Sequence, residues 1–84
     1  MSYLLKIDDK VIKDLKKIDK TWQKRILEKI KTTLLDDPYS GKKLVGNLSP
    51  YYRLRVGDYR IIYAILEEVV TVEVIKIKHR KHVY

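Results

Sequence analysis

The apolar residues of this 84-residue chain change period once, and that change limits the folds open to it. From Asp9 onward, Val11, Ile12, Leu15, Ile18 and Trp22 recur at intervals of three and four, the spacing of one helical face. Asp19, Lys20 and Thr21 interrupt the run with N-cap chemistry, after which Trp22, Ile26, Leu27, Ile30 and Leu34 repeat the period. Two amphipathic helices with so short a link are expected to form an antiparallel hairpin. The second should end near Asp36–Asp37, because Pro38 disfavours helical geometry in the residue before it. The loop DDPYSGKKLVGNLSP (36–50) holds both prolines and two of the three glycines, and beyond it the helical period is gone. YYRLRV (51–56) alternates like a half-buried strand, Gly57-Asp58 marks a turn, and YRIIYAIL (59–66) reads as a central strand. Glu67-Glu68 gives a tight reversal into VVTVEVIKIK (69–78), while YLLKI (3–7) suits an opening strand. The expected order is β-α-α-β-β-β: an α+β fold, with a helical hairpin packed on one face of a mainly antiparallel sheet, in one domain over 1–84.

Several function classes drop out. Without cysteine there is neither a disulfide framework nor a thiolate metal site nor a cysteine nucleophile. No stretch approaches the roughly 20 apolar residues that span a bilayer, so the chain is expected to be cytoplasmic, without membrane contact and complete as it stands. No glycine-rich phosphate loop, acidic metal cluster or metal-spaced histidine group is present, which makes a mechanism free of metal and cofactor the default expectation. Nineteen Lys and Arg against eleven Asp and Glu give a net charge of +8, which points to a polyanionic partner.

The arginines narrow that partner. Arg53 and Arg55 share one strand face by period, Arg60 follows on the next strand, and Arg80 emerges after the one that comes next. Burying unpaired guanidinium groups under the helices would cost several kcal/mol each, so these side chains are expected on the open face. Guanidinium forks bind anionic oxygens bidentately and keep their protons, and Tyr51, His79, His82 and Tyr84 would add rings on which unstacked bases rest. The pattern points to single-stranded or distorted RNA. Cleavage by a ribose 2′-OH needs a base, an acid and cations for the charge growing on phosphorus. Arginine supplies only the last, which leaves His79, His82 and Tyr84 as proton carriers, with Lys76, Lys78 and Lys81 in reserve. The plainer alternatives are a charged edge strand and an exposed basic tail.

KLVGNLSPYYRLRVGDYRIIYAI followed by VVTVEVIKIKHRKHVY resembles the RelE/ParE superfamily of toxin–antitoxin toxins, its RelE branch in particular. The likeness covers nearly the whole chain and rests on a KLxG loop, the YYRLRVGDYRIIY double strand and a terminal HRxxVY. It implies a ribosome-dependent endoribonuclease that enters the A site of the 70S ribosome and cuts the mRNA codon there. It also implies a cognate antitoxin, acidic in its toxin-binding segment, in a hetero-oligomeric complex that binds operator DNA through the antitoxin.

The same resemblance implies residue roles. Arg53 and Arg55 stand where the best-known RelE has two lysines, and Arg60, Arg80 and Tyr84 match its strand arginine, C-terminal arginine and terminal tyrosine. Arg60 and Arg80 would stabilise the phosphate, and Arg53, Arg55, Tyr51, His79, Lys78 and Lys81 would hold the RNA. Proton transfer would fall to Tyr84 or His82. The chain departs from the pattern in three ways. Arginine at 53 and 55 resists deprotonation, Val45 replaces a basic residue of some relatives, and Val83 separates His82 from Tyr84. Two other functions are compatible with the fold: a ParE-like inhibitor of DNA gyrase, and an inactive relative that only binds antitoxin or nucleic acid.

Overall fold

The computed structural model describes residues 2–44 and 50–79. Strand β1 (Leu4–Ile7) leads into α1 (Asp9–Lys16) and α2 (Lys20–Lys29), followed by β2 (Lys42–Lys43), β3 (Tyr52–Val56), β4 (Tyr59–Leu66) and β5 (Thr71–His79). The sheet order is β1-β5-β4-β3-β2, with β1 parallel to β5 and every other pair antiparallel. This is the expected α+β layering, with one strand more than the expected six-element order because Lys42 and Lys43 pair with Arg53 and Tyr52.

The helices end where their chemistry predicts. Asp19 caps α2 by accepting a hydrogen bond from the Thr21 N–H at 3.1 Å. Beyond Lys29 the chain continues as one wider π-type turn, Ile30–Leu34, where the Thr32 hydroxyl donates back to the Glu28 carbonyl. That turn keeps Ile30 and Leu34 inward, and they join Val11, Leu15 and Ile26 against Leu54, Val56, Ile61, Tyr63, Val72 and Val74 of the sheet. Each such aliphatic side chain contributes about 1.5–3 kcal/mol when fully buried. All the sheet residues in that cluster belong to one face, so the hairpin covers one side.

Two glycines make close approaches possible. A side chain at Gly41 would collide with the Tyr63 hydroxyl and the Arg53 carbonyl, so only glycine lets the chain turn into β2 at that point. Gly57, at φ 58°, occupies the first of the two central positions in the β3–β4 turn and carries the Trp22 ring directly against its backbone. Trp22 also meets Tyr59 at 5.8 Å between centroids and is capped by the Arg25 guanidinium at 5.1 Å. The hairpin that carries Arg55 and Arg60 is thereby clamped to α2.

The β4–β5 reversal is longer than a tight turn. Glu67–Val69 forms a short 3₁₀ turn and Val70 takes the left-handed conformation at φ 46°, so β5 begins at Thr71 and not at Val69. A β-branched residue seldom adopts that geometry. Here Val70 is held on both sides, its N–H bonded to the Glu67 carbonyl and its own carbonyl accepting from the Leu4 N–H.

Candidate nucleic-acid interface

In the β3–β4 register Arg55 lies directly opposite Arg60, and in the β4–β5 register Arg60 lies directly opposite Lys78. Residues so paired share a face, with Cβ atoms about 4.5–5.5 Å apart. Three cations therefore stand in a row across three strands. A second row, two residues along, consists of Arg53, Ile62 and Lys76. Both rows lie on the face opposite Leu54, Val56, Ile61 and Tyr63, the side away from the helices. Tyr51 precedes Arg53 by two positions and continues the same side.

No acidic residue occupies either row. Glu73 is the next open-face position of β5, across a register break, and it faces Lys6 of β1 at 3.9 Å. A hydrogen bond with Asp8 is the main cause that holds the Glu73 carboxyl above the usual carboxylate value. Asp58 lies in the turn beside the first row, where it lines a pocket of about 380 Å³ with Arg55, Gly57 and Arg60. Like charges directly opposite one another on a sheet are destabilising, so an unrelieved row of three is a binding surface and not a stabilising device. The guanidinium forks present fixed donors to anionic oxygens.

The lysines reach this face through an irregularity. The β4–β5 register shifts between Ile62 and Tyr63, so that Ile62 pairs with Lys76 while Tyr63 pairs with Val74. Ile75 is the extra residue of a β-bulge. Before the bulge the even-numbered Val72 and Val74 face the helices; after it Ile77 does, which turns Lys76 and Lys78 outward. The apolar doublet Val74-Ile75 is the trace of this phase change in the sequence. It explains why Lys76, expected only as a reserve proton carrier, stands inside the cationic cluster.

The bulge also decides the place of His79, which the structure does not bring to the arginines. His79 pairs with Tyr59 on the helix-covered side, ring edge to ring face at 4.8 Å. It lines a pocket of about 520 Å³ with Asp14, Lys17, Ile18, Asp19, Tyr59 and Ile77. The expectation that it joins the open face is corrected on that geometry: residues 77 and 79 share a side, and Ile77 belongs to the core. Arg80, Lys81, His82 and Tyr84, with Val45 of the KLxG loop, lie outside the described residues.

A basic, helix-free sheet face on a β-α-α-β-β-β-β scaffold can be compared with known proteins. The family model for the ParE toxin of type II toxin–antitoxin systems matches residues 5–84. This chain belongs to that toxin family. Among curated relatives, the toxin is 30% identical to the mRNA interferase toxin RelE of Escherichia coli K12, over all of this chain and 92% of that protein. Among solved structures, the Mycobacterium tuberculosis RelBE2 toxin–antitoxin complex gives a TM-score of 0.89 at 27% identity, covering 95% of this toxin and 93% of the other chain. The RelE–RelB complex of Pyrococcus horikoshii gives 0.80 at 31% identity, over 99% and 100% of the two chains. The helical hairpin and mixed five-stranded sheet of this toxin are thus those of the RelE structures. Among its described residues no helix is long and apolar enough to cross a membrane.

Proposed function

We propose that this toxin is a ribosome-dependent mRNA endoribonuclease of the cytoplasm, cutting A-site codons by attack of the ribose 2′-OH on the adjacent phosphate. The observation that carries this reading is the row Arg55–Arg60–Lys78 on the helix-free face. The full-length likeness to a relative named an mRNA interferase supports it. Arg60 sits at the middle of the row, where it meets the phosphorus-bound oxygens as charge grows on them. Arg53, Arg55, Lys78 and Tyr51 hold the RNA on either side. Arg80, Lys81, His82 and Tyr84 follow directly from the end of β5, with Arg80 assigned to the phosphate, Lys81 to the RNA, and Tyr84 or His82 to proton transfer. Those four assignments rest on the family likeness. An acidic antitoxin segment is the fitting partner for a surface of this sign, and RelE relatives are known in complexes with RelB.

Adding the toxin to a cell-free translation reaction and mapping mRNA 5′ ends by primer extension tests the reading. Cuts in phase with codons are expected, and Arg60→Ala should slow cutting by about 10²–10³, the usual cost of removing one preorganised donor to a developing oxyanion. A toxin that leaves mRNA intact while blocking supercoiling by gyrase would establish the ParE-like alternative instead.

A further inference from the structure

Ile62 is out of place for a residue that serves only folding. Its neighbours on β4, Ile61 and Tyr63, are 0% exposed beneath the helices, whereas Ile62 faces the other way, half-buried and outside the core cluster. Directly opposite it stand Arg53 on one side and Lys76 on the other, and two residues along lies the row Arg55–Arg60–Lys78. A branched hydrocarbon among five cations gains little from packing, and a solvated sheet face ordinarily carries polar side chains there.

We propose that Ile62 is the seat of a nucleobase and a specificity-determining residue for the RNA cleavage proposed above, on which this inference rests. Strands about 4.8 Å apart place the stems of Arg53 and Lys76 about 10 Å from each other across Ile62, and the arginine row closes one end about 7 Å away. The result is a shallow seat with an apolar floor and cations on three sides. Along β4 the fourth side continues through Ala64, 8% exposed, and Leu66, so the floor stays free of charge.

A nucleotide laid there rests its base on the isoleucine and leaves its flanking phosphates beside the cations. The bulge at Ile75 is a third, independent sign, because it creates the pairing of Ile62 with Lys76, and bulges of this kind re-aim side chains beside active sites. An aliphatic floor offers contact without hydrogen bonds. It therefore discriminates by the area of the base: a purine covers more of it than a pyrimidine.

The test uses the full toxin with ribosomes programmed by mRNAs that present a complete set of codons in the A site. Cleavage rate and half-saturating toxin concentration are measured for the wild type, Ile62→Ala, Ile62→Thr, Ile62→Phe and Arg60→Ala. Ile62→Ala should raise the half-saturating concentration and shrink the purine-over-pyrimidine ratio at one codon position by about tenfold, within the range of base-stacking contributions. Ile62→Phe should keep or widen that ratio. Ile62→Thr retains the β-branched shape a strand favours and separates loss of apolar contact from loss of fold; it should behave like Ile62→Ala. An unchanged codon ratio in both Ile62→Ala and Ile62→Thr, with Arg60→Ala still inactive, overturns the seat while leaving the RNA face standing. Wild-type cutting by Arg60→Ala, or no cutting by the wild type, overturns the nuclease reading itself.

Discussion

Arg60 stands with a cation on either side of it, and the arrangement works against the fold. Each directly opposed like-charge pair costs about 0.2–1 kcal/mol, and Arg60 takes part in two, with Arg55 and with Lys78. A residue retained for stability would be removed at a loss; this one should be removed at a gain. Arg60→Ala is expected to leave the melting temperature unchanged or raise it by a few degrees, even as it abolishes cutting. Added salt screens the row over a Debye length of about 8–10 Å, so the wild type should gain more from salt than the variant does. Thermal melts of both proteins at low and moderate ionic strength decide the matter. A variant that melts several degrees lower would make Arg60 a structural residue. The same reasoning separates Arg60 from Trp22, whose contacts with Gly57, Tyr59 and Arg25 all favour the folded hairpin.

Between elements, the loop leading to β2 is held by phenols. Tyr63 of β4 donates its hydroxyl to the Pro38 carbonyl at 2.7 Å, while Tyr3 and Tyr39 both donate to the Glu67 carboxylate. Burial pushes the Tyr63 phenol up to about 12 from an ordinary 10.0, and the hydrogen bond to Glu67 does the same for Tyr39. A group whose value is raised on folding stabilises fully below its unfolded value, and the contribution is lost as pH climbs through the folded one. Stability should therefore fall between about pH 10 and 12. Tyr63→Phe should flatten part of that fall, at a cost near neutral pH of about 1 kcal/mol for the orphaned Pro38 carbonyl. Melts across that pH range would show it; an equally steep fall in the variant would remove Tyr63 as a cause. Glu67 has the opposite sign. The same phenols, Tyr39 first, hold its carboxyl below 4.5, so its contribution is present above that value and fades as pH falls through the folded one. At this scale the sequence showed its limits. Helices and long strands were legible because their periods run for many residues, but a two-residue strand such as Lys42–Lys43 has no period to read. The parallel pairing of β1 with β5 joins residues 4–7 to 71–74, and nothing local encodes it.

Seen whole, the molecule is electrically lopsided. The cationic rows lie toward the β3–β4 turn, while Asp36, Asp37, Glu67 and Glu68 gather at the other end of β4, where Tyr3 and Tyr39 meet Glu67. The net charge of +8 was plain from composition, but its division was not, because it depends on a bulge that sends Lys76 and Lys78 to one side of the sheet and His79 to the other. A protein so divided meets a polyanion with its basic end leading. The consequence is measurable with a short single-stranded RNA carrying a 2′-deoxy sugar at the cut site, so that binding is seen without cleavage. The logarithm of the association constant should fall linearly with the logarithm of salt concentration, by about 0.7 for each phosphate contacted on a single strand. Arg53→Ala should lower the magnitude of that slope by about 0.7. Lys10→Ala removes the same charge from α1, away from the open face, and should leave the slope where it was. Equal changes in the two variants would mean that the RNA senses only total charge, and the sheet face would lose its claim to be the binding surface.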